Sequence, residues 1–221
     1  VIIVPSARGF LGAAKQWGPA TSIVPKSASG TVTFTGLTIP AGALVAIGTS
    51  DTTAASAVGT VTDSAGNVWN NTGWTDNSTG GSTIFWSCFV NPLVAGSIAV
   101  TTHSGAGVMT AGGMWATGAA AAPYDAAAFG SASATVAAPT CTSGVPSKAG
   151  ELFFAMWGIV PSTRTITNDP AWTSHGVFNS TPSTYGLAVA SRINSGAGAL
   201  VYAPSMNTGA ISRINIAAFH Q

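Results

Sequence analysis

The sequence predicts an all-β fold: a jelly-roll-like antiparallel β-sandwich built from two related halves, preceded by an irregular N-terminal arm. Three observations carry this expectation. Only 6% of the 221 residues are charged, against about 25% in an ordinary soluble domain. Apolar residues alternate with Ser and Thr in short runs, without sustained 3.6-residue periodicity. Landmarks in the first hundred residues recur about a hundred residues later.

Residues 1–29 read as an arm. Pro5, Gly9, Gly12, Gly18, Pro19 and Pro25 punctuate it, and Arg8, Lys15 and Lys26 give it positive charge without an acid. Two roles fit: an arm folded over its own domain, or an anchor on a partner subunit. In the second role Arg8, Phe10, Leu11, Lys15 and Trp17 are the partner-binding residues, because apolar side chains on a Gly/Pro-broken segment cannot build a core of their own.

The sandwich is expected over 30–221. Thr31 to Thr35 alternates as a half-buried strand. Ala43 to Gly48 and Val58 to Thr62 are apolar strands. Asp63-Ser64-Ala65-Gly66-Asn67 is a turn signal, and Val68-Trp69 resumes the sheet, so a hairpin is expected. Strands follow at Ser82 to Phe89, Ser97 to Thr102 and Val108 to Thr117. Gly118, Pro123 and Gly130 interrupt the Ala-rich runs that propensity would make helical.

The halves fall at about 30–122 and 135–221. Trp69 answers Trp172, Ser82 answers Ser183 and Ala95 answers Ala197, at offsets of 103, 101 and 102 residues. Neither half shows enough cleanly alternating strands to close alone, so one sandwich shared by both is expected. Two tandem immunoglobulin-like domains are the alternative, weakened by the lack of a polar linker.

Composition excludes several functions. Seven Lys and Arg against six Asp and Glu supply no basic footprint for nucleic acid. The apolar stretch Ser82 to Val100 contains Asn91, Pro92 and Gly96, so it reads as two strands and a turn, with no membrane insertion. Pro5 and Arg8 break the opening apolar tetrad, which does not read as a signal-peptide core. Cys88 and Cys141 allow at most one disulfide and read as small buried apolar residues.

Chemistry-bearing residues are sparse. No nucleophile elbow, phosphate loop or His-Glu-x-x-His motif occurs. His103, His175 and His220 read as exposed loop or terminal histidines, and Glu151 as a polar residue at a strand edge. No pair of carboxylates with a histidine is expected in a cleft, so no catalytic residue, metal or cofactor is assigned. Asp63 and Asn67 supply too few oxygens for calcium and fit an Asx turn. Trp69, Trp86, Trp115, Trp157 and Trp172 read as core. Trp74, with Asp76 and Asn77, is the candidate glycan platform, since an exposed indole stacks on a sugar while amide and carboxylate bind its hydroxyls.

Leu44-Val45-Ala46-Ile47, Val61 to Trp69, Ile84-Phe85-Trp86, Ala95 to Thr101, Pro123-Tyr124-Asp125 and Gly150-Glu151-Leu152-Phe153 follow one another in an order that resembles the β-sandwich virion proteins of tailed bacteriophages, minor tail proteins among them. The resemblance covers about residues 30–219 and leaves the arm outside. It implies a structural or host-adsorption role in a virion, as a minor tail, capsid-decoration or spike component, with no catalytic residue to carry over. The expected function is therefore a non-enzymatic virion protein, displayed on capsid or tail as a homo-oligomer beside other virion proteins. The alternative is a lectin-like module that binds a host-surface glycan.

Overall fold

The computed structural model describes residues 16–51, 59–73, 80–101 and 107–221, with the backbone of 75–76. The first half contains β1 (Thr21–Ser29), β2 (Thr31–Ile39), β3 (Ala43–Asp51), β4 (Thr60–Asp63), β5 (Asn70–Asn71), β6 (Thr75–Asp76), β7 (Gly81–Cys88), β8 (Leu93–Thr101) and β9 (Val108–Thr117). The second contains β10 (Tyr124–Ala134), β11 (Cys141–Thr142), β12 (Glu151–Ile159), β13 (Ile166–Thr167), β14 (Thr173–Phe178), β15 (Gly186–Asn194), β16 (Val201–Tyr202), β17 (Ser205–Met206) and β18 (Ser212–Phe219). Among the described residues no helix is long and apolar enough to cross a membrane.

All strand pairs are antiparallel, and the expected sandwich architecture is present. The large sheet of the first half runs β1-β9-β3-β7-β5, with β6 also on β7, and faces a small sheet β2-β8-β4. The large sheet of the second half runs β10-β18-β12-β15-β14, and two short pairs, β11-β16 and β13-β17, lie outside it. Strand for strand the two large sheets have the same order. Trp69 immediately precedes β5 and Trp172 immediately precedes β14, the corresponding outer strands.

Period-2 alternation explains the layering. On β3, Val45 and Ile47 face Val32, Phe34, Ile98 and Val100 in the first half's own core. On β12, Phe153, Ala155 and Trp157 join Cys141, Ile166, Tyr202 and Met206 in the second. The intervening residues, Leu44 and Ala46 of β3 and Leu152, Phe154 and Met156 of β12, meet in a third core between the large sheets. Both strands are therefore buried along their whole length, which is why they read as continuous apolar runs. Each half, expected not to close alone, encloses a core of its own, because short strands that look too weak singly cover one face of a large sheet.

Small residues let the large sheets approach. A Cβ on Gly48 would lie 2.6 Å from Met156 Cβ, and one on Gly158 would lie 2.5 Å from Ser50 Oγ. Toward Ser50 the joint turns polar: Thr110 donates to the Tyr185 carbonyl at 2.6 Å, and Asn215 Nδ2 donates to Ser82 Oγ at 2.9 Å.

Two local expectations are corrected. The arm is not irregular through residue 29, since Thr21–Ser29 is an edge strand on β9. Pro25 sits where the register shifts between Ile23 and Lys26, and an edge bulge needs no proline N–H. The turn at 63–67 does not close a hairpin either. β4 belongs to the small sheet and β5 to the large one, so the turn carries the chain between layers.

Candidate functional site

Three neighbouring strands of the second half, β10, β18 and β12, bring together the ionisable groups that the sequence keeps far apart. Asp125 is the second residue of β10 and stands opposite Ala218 of β18. Glu151 opens β12, and His220 follows the last residue of β18. Leu152 pairs with Phe219, so the register sets Glu151 beside His220. One ligand-type atom from each of the three lies within 4.8 Å of the others.

Glu151 is 1% exposed and Asp125 is also buried. Asp125 Oδ1 accepts from Ala127 N at 3.0 Å, and Oδ2 accepts from Ser147 N at 2.7 Å. Glu151 Oε1 accepts from Lys148 N at 3.0 Å and lies 3.0 Å from His220 Nδ1. Among the described residues no N–H donor reaches Glu151 Oε2, whose carboxyl hydrogen-bonds with Asp125 when one of the two is protonated, and His220 Nδ1 makes no hydrogen bond. Burial raises the Glu151 pKa, and the Asp125 charge adds to the rise. Burial acts the same way on Asp125, but hydrogen bonds from Ser147 and Ala127 outweigh it and hold that carboxyl below its ordinary value.

One expectation is corrected: His220 is mostly covered. Glu151 stands at the start of an apolar strand as expected but is buried, and it converges with a second carboxylate and a histidine that the sequence keeps far apart. The cause is β10-β18-β12 adjacency, which sequence spacing does not display. His175 is also buried, not exposed. It sits on β14 between Ser22 Oγ of β1, 3.1 Å from Nδ1, and Ser191 Oγ of β15, 2.7 Å from Nε2. Burial pushes its pKa down to about 4. An imidazole that weakly basic is a poor proton acceptor near neutrality, and Ser191 lies mid-strand with neighbours on both sides. The Ser22–His175–Ser191 chain therefore joins the two halves. Beside it runs a groove of about 480 Å³ walled by Trp17, Pro19, Leu152, Arg192 and Ile193. His103 lies outside the described residues.

Trp17 is 8% exposed, and its Nε1–H donates to the Gly150 carbonyl at 3.0 Å. It is thus an anchor of the chain on its own second half, not on a partner, because the apolar joint between the sheets extends to it. Arg8, Phe10, Leu11 and Lys15 lie outside the described residues. So do Trp74 and Asn77, while for Asp76 only the backbone is described, as part of β6 opposite Gly81.

Asp63 forms the expected Asx turn. Its Oδ1 accepts from Ala65 N, Asn67 N and Asn67 Nδ2, and its Oδ2 accepts from Trp69 Nε1 at 2.8 Å. Trp157 and Trp172 are buried as expected, whereas Trp69, Trp86 and Trp115 are half-buried. Cys88 and Cys141 are not joined in a disulfide, and burial pushes the Cys141 pKa up to about 11.

No family model, curated protein or solved structure matches this chain.

Proposed function

We propose that the chain is a non-enzymatic structural protein of a bacteriophage virion, displayed on capsid or tail as a homo-oligomer and serving host adsorption. The sequence resemblance to tailed-phage sandwich proteins points to the particle. The observation that carries the assembly role is an apolar tip on the first half. Val68, Val90 and Val94 are 78%, 81% and 80% exposed. Val68 and Val90 flank a clasp in which Asn91 N donates to Asn67 Oδ1 at 2.9 Å and Asn67 Nδ2 donates to the Asn91 carbonyl at 3.0 Å. Side chains held this far out on a braced loop, in a chain with 6% charged residues, suit a surface that another subunit covers.

Two measurements test the reading. Antibodies raised against the chain should label intact particles in electron micrographs. Val68→Asp with Val90→Asp should lower the sedimentation mass of the purified protein while leaving its circular dichroism unchanged. Label confined to non-particulate material, together with an unchanged mass, refutes the proposal.

A further inference from the structure

We propose that Asp125, Glu151 and His220 bind a single divalent transition-metal cation of the zinc class, a site that goes beyond the structural role above and does not depend on it. Two oxygens and an imidazole nitrogen are a zinc-type donor set. Metal–ligand bonds of about 2.1 Å place ligand atoms roughly 3 to 3.5 Å apart. Glu151 Oε1 and His220 Nδ1 are 3.0 Å apart, and the wider set stays within 4.8 Å.

Two observations independent of that clustering point to a ligand. The first is the pair of atoms without donors. Glu151 is 1% exposed, yet among the described residues its Oε2 and His220 Nδ1 have no hydrogen-bond partner unless Asp125 and Glu151 share a proton. Two buried ligand-type atoms left without a hydrogen bond, close to a second carboxylate, suit a cation. The backbone donors Ala127, Ser147 and Lys148 meanwhile fix the other carboxylate oxygens, as outer partners orient metal ligands.

The second observation is the internal comparison. In the first half Ala43 stands opposite Thr117, and Thr21 stands opposite Trp115, two residues before Thr117. In the second half Glu151 lies beside His220, and Asp125 stands opposite Ala218, two residues before His220. The same three register positions hold Thr21, Ala43 and Thr117 in one half and Asp125, Glu151 and His220 in the other. The fold closes without any ionisable group there. Two buried acids and a histidine, which burial alone disfavours, therefore answer to something other than the fold.

The test uses untagged full-length protein stripped with a chelator and titrated with zinc, then with cobalt as a coloured probe. The expected result is one ion per chain, a melting temperature that climbs with zinc concentration, and visible cobalt bands of a nitrogen–oxygen site. The isosteric Glu151→Gln should weaken zinc binding by about tenfold or more. The triple variant Asp125→Thr, Glu151→Ala, His220→Thr, which copies the first half, should abolish binding while the chain stays folded. If it fails to fold, Glu151→Gln and the wild-type titration still decide the matter. A wild-type protein indifferent to zinc would mean that a proton shared by the two carboxyls fills the gap, and would overturn the proposal. Equal zinc uptake by Glu151→Gln or by the folded triple variant would place the metal elsewhere and overturn it as well.

Discussion

Acidification should loosen the joint between the halves through His175. The side chain is 3% exposed and wedged between Ser22 of β1 and Ser191 of β15. Burial lowers its pKa from 6.5 to about 4, so between those values the unfolded chain binds a proton that the folded chain refuses. Stability is therefore complete above the unfolded value and falls as pH drops through the window toward the folded one. Each step of one pH inside that window costs about 1.4 kcal/mol, so the loss reaches about 2 kcal/mol near pH 5 and about 3 kcal/mol near pH 4. With a urea dependence of about 2 kcal/mol per molar, the loss near pH 5 moves the unfolding midpoint down by about 1 M. Carboxylates contribute to the same slope, so the informative quantity is the difference between wild type and His175→Gln, followed from about pH 7.5 to about pH 4.5. Gln reaches Ser191 but does not titrate, and the variant should show a shallower acid limb. A pH-independent difference between the two proteins would refute the reasoning, as would an imidazole proton resonance titrating at its ordinary value.

Three further outcomes follow from the packing. Trp17→Ala removes a buried indole and its bond to the Gly150 carbonyl, and should cost about 3 kcal/mol in chemical denaturation; a loss below about 1 kcal/mol would mean that Trp17 does not hold the joint. Asp63→Ala leaves four donor groups of the 63–69 crossing without their acceptor, and should cost about 2 kcal/mol, with Asp63→Asn milder because the amide keeps an acceptor oxygen. Gly48→Val forces a branched side chain onto Met156 across the joint, and should lower the melting temperature more than Gly42→Val, where the surrounding space is open but φ is +77°.

The strands are legible in the sequence wherever one face meets a core and the other meets water. Thr31 to Thr35 alternates because Val32 and Phe34 point inward while the threonines do not. The duplication is legible because Trp69 and Trp172 both stand one residue before the outer strand beside β7 or β15. β1 is hidden because Pro25 looks like a breaker until a bulge absorbs it. The 63–67 crossing is hidden because turn chemistry is local, whereas the sheet a chain enters next is not. The cluster at Asp125, Glu151 and His220 leaves no spacing to find. One signal is available: aligned against each other, the halves place ionisable side chains where the first copy has Thr and Ala. The wide separation of the three residues conceals what the repeat exposes.

Low charge in this chain does not mean little electrostatics; it means that charge has moved indoors. Of six acids, Asp51, Asp125, Glu151 and Asp169 are buried. Three of the five aspartates begin the same local device, Asp-x-Ala: Asp63, Asp125 and Asp169 each accept from the backbone N–H of the alanine two residues on. Each second oxygen then reaches a more distant donor, Trp69 Nε1, Ser147 N and Ala203 N respectively. One short side chain thus closes a turn and pins it to another segment. Neutral serine or threonine would serve the first bond and leave the second donor without an acceptor, at a cost of about 1 to 3 kcal/mol where it is buried. The described surface carries few charges and exposes valines such as Val68, Val90 and Val94. The acids, turn by turn, thus tie segments together within each half, while the joint between the halves rests on the apolar layer of Leu44, Ala46, Leu152, Phe154 and Met156.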